Sequence, residues 1–242
     1  MHGGRGHGII ARPVSRTHRV PDRHRTAEDR CYNRGRRLWH STTTAGSSRC
    51  AARPARRSRS SWVLFSHRDP RRVLIVGGGD CGTLREVCKH DGIEAVTQVD
   101  IDERVTRVAE EYFPALCAAN SDPRARLAFD DGIQWVRDTP DASLDVIIVD
   151  STDPVGPGEA LFTEAFYREC HRALAEGGLI VQQSESPLAH LAAIIAPMYR
   201  NLASAGFGQP TSFHFPQPVY PTGWWTATAA RKGGAVTFER AG

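Results

Sequence analysis

The sequence has no run of roughly 18 apolar residues, the length a membrane-spanning helix needs, and its N-terminus lacks the apolar stretch of a secretory signal peptide. No membrane association is expected, and a cytoplasmic location is. Cysteine is sparse and without pattern: Cys31, Cys50, Cys81, Cys88, Cys117 and Cys170 never form a C-x-x-C pair and never stand at zinc-ligand spacing with histidine. Reduced, mostly buried thiols and no bound metal are the expectation.

Lysine is missing from residues 1–62, where fifteen arginines face only Asp22, Glu28 and Asp29, a net charge of +12. The segment shows neither helical nor strand periodicity. Its apolar residues are too few to offset the roughly 1–2 kcal/mol per residue that backbone ordering costs. A disordered extension is expected there, and three origins stand open: an arginine-rich nucleic-acid arm, a transit peptide, or out-of-frame translation of a GC-rich region. The overall charge of +4 therefore conceals an acidic body. Residues 63–242 carry 16 basic and 24 acidic residues, net −8, which suits a cationic partner and disfavours nucleic acid.

From Arg72 onward, short β-branched runs alternate with amphipathic segments, the signature of βαβ units and an α/β fold with a doubly wound, mostly parallel sheet. Strands are predicted at Arg72–Val76, Ala95–Asp100, Ala125–Phe129, Leu144–Asp150 and Leu179–Gln183. The intervening helices are predicted at Thr83–His90, Glu103–Tyr112, Ile133–Asp138, Thr163–Ala175 and Leu188–Ala205, with Pro197 kinking the last. Phe207–Phe215 and Trp225–Ala230 read as a closing β pair. The domain division is thus an arginine-rich segment, 1–62, and one catalytic-type domain, 63–242.

The first strand runs into Gly77-Gly78-Gly79-Asp80-Cys81-Gly82 and then a helix, which places a G-x-G-x-x-G turn where a nucleotide can approach the backbone. Asp100 follows at the end of the second strand, positioned to accept from both ribose hydroxyls of a nucleoside. The third strand ends in Asp130-Asp131-Gly132, where an adenine amino group could be held, although Asp-Gly is also an ordinary turn signal. The fourth delivers Asp150-Ser151-Thr152-Asp153-Pro154; the prolines and glycines that follow make this a loop rather than a helix cap. Asp80, Asp100, Asp131, Asp150 and Asp153 would then line one carboxyl edge. Such a pocket repels the pyrophosphate of NAD and has no basic partner for the carboxylate of S-adenosylmethionine. It suits a sulfonium nucleoside without that carboxylate, together with a diamine.

The segments Arg71–Asp80, Gly82–Val87, Val99–Asp102, Asp150–Pro154, Gln183–Pro187 and Tyr220–Trp224 together resemble the spermidine synthases over nearly all of residues 63–231. The resemblance implies a Rossmann-like fold of the S-adenosylmethionine-dependent methyltransferase type. It implies aminopropyl transfer from decarboxylated S-adenosylmethionine, a co-substrate rather than a tightly bound cofactor, to putrescine. It implies roles by position as well: Gly77 and Gly79 in the nucleoside turn, Asp100 on ribose, Asp131 and Gly132 at adenine, and Asp80 near the aminopropyl amine. Asp150 matches the proposed catalytic base, and Asp153 and Tyr220 match residues that position the polyamine. A family-like homo-oligomer is a further implication.

Two departures stand against the pattern. Cys81 occupies a position where the family usually has glycine, so its side chain is expected to crowd the ligand or to strain the backbone if positive φ is required. The family's N-terminal β domain and its Tyr-His-Glu segment are not recognisable, so no role passes to Tyr32, Trp39 or His40. The alternatives are an impaired homologue that binds nucleoside or polyamine, and a polyamine N-methyltransferase on the same fold.

Overall fold

A computed structural model describes residues 64, 66–151, 154, 156–220 and 222–237. The expectations for residues 1–62 and for Asp153 lie outside the described residues. Seven strands form one sheet: β1 (Arg72–Gly77), β2 (Ala95–Asp100), β3 (Ala125–Phe129), β4 (Leu144–Asp150), β5 (Leu174–Gln183), β6 (Thr211–Pro216) and β7 (Trp224–Arg231). Their spatial order is β3-β2-β1-β4-β5-β7-β6. β1 to β5 run parallel, while β7 pairs antiparallel with β5 and β6 antiparallel with β7. The order reverses between β1 and β4, and a crevice at such a reversal, beyond the carboxyl ends of the strands, is where open α/β sheets bind ligands.

Among the described residues, five α-helices accompany the strands: α1 (Gly82–Val87), α2 (Glu103–Tyr112), α3 (Gly132–Asp138), α4 (Glu164–Ala173) and α5 (Ala196–Ser204). Alternation along the strands sorts the core into two layers, because successive side chains leave opposite faces. Leu74, Val76, Ile147 and Val149 pack with Val136 of α3, Phe166 and Tyr167 of α4, and Met198 and Leu202 of α5. Val73, Ile75, Val146 and Ile148 pack on the other face with Leu84 and Val87 of α1. Both faces are covered, which is why β1 and β4 read as continuous apolar runs.

Several boundaries differ from the sequence reading for local reasons. α1 stops at Val87, and its last turn tightens so that Lys89 and His90 donate to Glu86 and Val87, three residues back. α4 ends at Ala173, because Leu174 already pairs with Leu144; the register then shifts before Leu179 meets Val146. β5 is therefore longer than predicted, with Gly177 at φ 77° in the irregular stretch. The predicted helix Leu188–Ala205 divides into a π-helical turn, Leu191–Ile195, and α5. Pro197 stands in the first turn of α5, directly after the π-helical turn, so its missing N–H falls where one hydrogen-bond ladder passes into the other. Phe207 makes only a bridge to Lys232, and β6 proper begins at Thr211.

One carboxylate ties the base of β1 to β4. Asp145 Oδ2 accepts from the backbone N–H groups of Arg71 and Arg72, at 3.0 and 2.8 Å, and Oδ1 accepts from the Arg72 guanidinium at 3.1 Å. Burial alone would raise its pKa, but these bonds outweigh burial and hold the carboxyl below its ordinary value. A depressed folded value means that the stabilisation is in place above the unfolded pKa of about 3.9 and is lost as pH falls through the folded value. Asp145→Asn is expected to cost about 1–3 kcal/mol at pH 7. In urea titrations, the gap to the parent protein should close in acid.

Candidate active site

The glycine turn is shaped by how closely β1 approaches β4. Gly77 pairs with Asp150, and a Cβ on it would stand 2.3 Å from the Asp150 carbonyl oxygen, so only glycine fits; its φ of 85° says the same. Gly78 N–H donates to that carbonyl at 2.8 Å, which closes the turn onto the end of β4. At Gly79 a Cβ would lie 2.8 Å from Asp100 Oδ2, so the absent side chain lets the end of β2 come against the loop. Thr106 of α2 donates to the Gly79 carbonyl at 2.8 Å and holds the turn from behind.

Three predicted acids meet at this turn. Asp80 is 2% exposed; its Oδ1 accepts from Gly82 N–H at 2.9 Å, while its buried Oδ2 has no hydrogen-bond partner among the described residues. Asp150 Oδ2 accepts from the Thr83 hydroxyl at 2.6 Å, so the first turn of α1 orients the carboxylate at the end of β4. Asp100 Oδ1 accepts from Asp102 N–H at 2.9 Å. Burial raises the Asp100 pKa, opposed by the backbone N–H groups of Asp102 and Gly79 and reinforced by the Asp102 and Asp150 charges.

Asp131 is placed differently. It is exposed and caps α3, accepting from Ile133 N–H at 2.8 Å, so the ordinary turn-and-cap role is present whatever else it does. Gly132 opens α3 against β1, and a Cβ there would meet Val76 Cγ1 at 2.6 Å.

Tyr220 lies in the turn between β6 and β7 and stacks on Trp225, with ring centroids 4.0 Å apart and planes at 18°. The Trp225 indole donates to Gln183 Oε1 at 2.6 Å, and Gln183 Nε2 donates to the Ser151 carbonyl at 3.3 Å. The far turn of the sheet is thereby tied to the loop that follows Asp150.

Sequence reasoning missed Thr83, Gln183 and Trp225 as site residues, and Glu185 beside them. Glu185 is 2% exposed, sits at φ 65°, and accepts from Gln183 Nε2 at 3.2 Å. A hydroxyl in the first helical turn after the glycines, and polar residues at the end of the strand beside β4, were the available signals. Cys81 shows the expected strain, with φ 64° in the left-handed region. Its side chain is fully buried and packs with Ala109, Leu116 and Cys117 beneath the loop. Among the described residues no group of three or more His, Cys, Asp or Glu side chains could hold a metal ion, and no helix is long and apolar enough to cross a membrane.

Burial, and then the neighbouring Asp150 carboxylate, push Asp80 well above the usual carboxylate range. A raised folded value means that stability is lost as pH climbs from about 3.9 toward that value, because the native state gives up its proton less readily than the unfolded chain. Asp80→Asn keeps an acceptor for Gly82 N–H and removes the titration. The variant is expected to melt at or above the parent temperature at pH 7, with the difference vanishing below about pH 4. A melt well below the parent at pH 7 would show that the charge is compensated after all.

Residues 60–240 match the spermine/spermidine synthase domain model. The chain is 65% identical over 178 residues to the polyamine aminopropyltransferase of Thioalkalivibrio sulfidiphilus (strain HL-EbGR7), covering 74% of this chain and 63% of that protein. To the polyamine aminopropyltransferase of Methylococcus capsulatus it is 63% identical over 177 residues, covering 73% and 62%. The chain thus spans a little under two thirds of the length of these curated relatives. Among solved structures, a spermidine synthase in complex with the transition-state analogue AdoDATO superposes with a TM-score of 0.68 at 34% identity, over 81% of this chain and 61% of that one. The spermidine synthase of Thermotoga maritima superposes with a TM-score of 0.65 at 37% identity, over 71% and 57%. A glycine turn closed onto an acidic sheet edge, and relatives matched across the same residues, establish that the chain belongs to the spermine/spermidine synthase family.

Proposed function

We propose that this chain transfers the aminopropyl group of decarboxylated S-adenosylmethionine to putrescine, giving spermidine and methylthioadenosine. The observation that carries the reading is the Asp80–Asp150 pair: a buried carboxylate with an unpaired oxygen beside a second carboxylate oriented by Thr83. Two such acids beside a glycine turn favour a ligand that brings positive charge, and both proposed substrates are cations.

In this reading Asp100 accepts from the ribose hydroxyls. Asp131, whose Oδ1 caps α3, turns its second oxygen to the adenine amino group above Gly132. Asp80 takes the ammonium of the aminopropyl arm. Asp153 and Tyr220 position the diamine, with Tyr220 braced on Trp225. A free alkylamine has a pKa near that of lysine, about 10.4, and is protonated at neutral pH, so the attacking nitrogen must first be made neutral. Asp150 accepts that proton. The nitrogen lone pair then forms the new N–C bond while the C–S⁺ bond breaks and its electron pair returns to sulfur, leaving neutral methylthioadenosine. In-line alignment of two held reactants supplies much of the acceleration.

The direct test supplies the purified chain with putrescine and either decarboxylated S-adenosylmethionine or S-adenosylmethionine. Spermidine and methylthioadenosine are expected only with the first donor; N-methylputrescine from the second would overturn the reading in favour of methyl transfer. Asp150→Asn is expected to lower turnover about 10²- to 10⁴-fold, the usual worth of a positioned general base, while methylthioadenosine binding stays close to that of the parent. Full activity of that variant at saturating putrescine would remove Asp150 from the mechanism.

Asp100→Ala is expected to act on affinity instead, because a ribose contact made equally in ground and transition states is uniform binding. Calorimetry should show methylthioadenosine binding weakened about 10- to 100-fold, the worth of hydrogen bonds to a charged acceptor. Unchanged affinity would dismiss the ribose role.

A further inference from the structure

Beneath the glycine turn lies a second feature that the transfer reaction does not use. Cys81 and Cys117 are separated by 36 residues in sequence, yet share one small buried cluster with Ala109 and Leu116. Their sulfurs lie against consecutive carbonyls of the same turn: Cys81 Sγ is 3.6 Å from Gly79 O, and Cys117 Sγ is 3.8 Å from Asp80 O. Gln98 Nε2 donates to Cys81 Sγ at 3.6 Å, and Cys117 lies in the same buried cluster. Cys81 thus carries one side-chain donor on its sulfur, with a second thiol in its cluster.

The other described cysteines lack this arrangement. Cys170 is buried in the main core beside Phe166 and Tyr167, and burial pushes its thiol well up. Cys88 is half-buried, and burial raises its thiol too. At Cys81 the neighbouring Cys117 thiol, aided by Gln98, outweighs burial and brings the thiol down to about 7, while Cys117 is pushed up. The pair shares its protons unequally, and Cys81 is the more readily ionised of the two.

We propose that Cys81 and Cys117 form an oxidant-sensitive dithiol, which hydrogen peroxide converts to an intramolecular disulfide that ties the nucleoside turn to the short helical turn Cys117–Ala119. The Cys81 thiolate attacks one peroxide oxygen, the O–O bond breaks, and hydroxide leaves, producing a sulfenic acid at Cys81. The Cys117 sulfur then attacks the Cys81 sulfur, its proton passes to the departing hydroxide, and water leaves as the S–S bond forms. Two thiols give up two electrons and two protons, and one peroxide becomes two waters. Peroxide is small enough to reach a buried sulfur after modest local opening, whereas a bulky disulfide reagent is excluded. Closure replaces both S–H contacts to the Gly79 and Asp80 carbonyls, and so alters the peptides that carry Asp80.

The test needs no assumption about substrates. The full chain, purified reduced, is titrated with hydrogen peroxide under native conditions, quenched by alkylation, digested without reductant, and mapped by mass spectrometry. The expected product is a peptide linking Cys81 to Cys117, two hydrogens lighter than the sum of its parts and abolished by dithiothreitol. It should form at least about tenfold faster than any oxidation of Cys170, as the difference in thiolate content requires. In Cys117→Ser the sulfenic acid at Cys81 should persist and be trapped by dimedone when the oxidised protein is unfolded in its presence. The proposal fails if Cys81 reacts no faster than Cys170, if it pairs instead with Cys31 or Cys50, or if wild-type Cys81 goes on to sulfinic acid without the linked peptide.

Discussion

The site depends on the close approach of β1 to β4 at the point where strand order reverses. Asp145 clamps the lower ends of these strands, and at their upper ends Gly77 comes so near Asp150 that no side chain could intervene. That contact brings the glycine turn over the end of β4, and the Gly78 bond to the Asp150 carbonyl locks it there. α1 leaves at an angle set by the turn, which lets Thr83 reach the Asp150 carboxylate. A residue larger than glycine at position 77 would separate the acid from its orienting hydroxyl and from the turn itself.

The same arrangement is costly. Asp80 and Asp150 are held together with one oxygen of Asp80 unsatisfied, and Cys81 and Glu185 both occupy left-handed backbone. Each feature works against folding: an unpaired buried acceptor and two strained non-glycine residues contribute of the order of 1–3 kcal/mol apiece. At the carboxyl edge, against a buried core of alternating Val, Ile and Leu, these features mark places where the fold gives up stability.

How much of this was legible can be judged residue by residue. Alternation made β1 and β4 readable; the glycine turn located Asp80, and the ends of the second and fourth predicted strands located Asp100 and Asp150 on the same edge. Asp131 was legible as a residue but ambiguous in role, because an aspartate before a glycine is written the same way whether it caps a helix or meets a ligand; here it caps. Boundaries failed where pairing overrode propensity: Leu174 reads as the end of a helix yet belongs to β5, because Leu144 offers it a partner.

What the sequence determined by itself was therefore local and periodic: the parallel sheet, its apolar layers, the glycine turn, and the acids that end the strands. These follow from side-chain alternation and from the conformations open to glycine, both of which can be read along the chain. The tertiary structure alone decided which side chains meet across long separations. Thr83 on Asp150, Trp225 on Gln183, and Cys117 beside Cys81 are pairings between residues 67, 42 and 36 positions apart. No local pattern encodes such contacts, because they arise only when the sheet order brings separate strand ends and turns to the same edge.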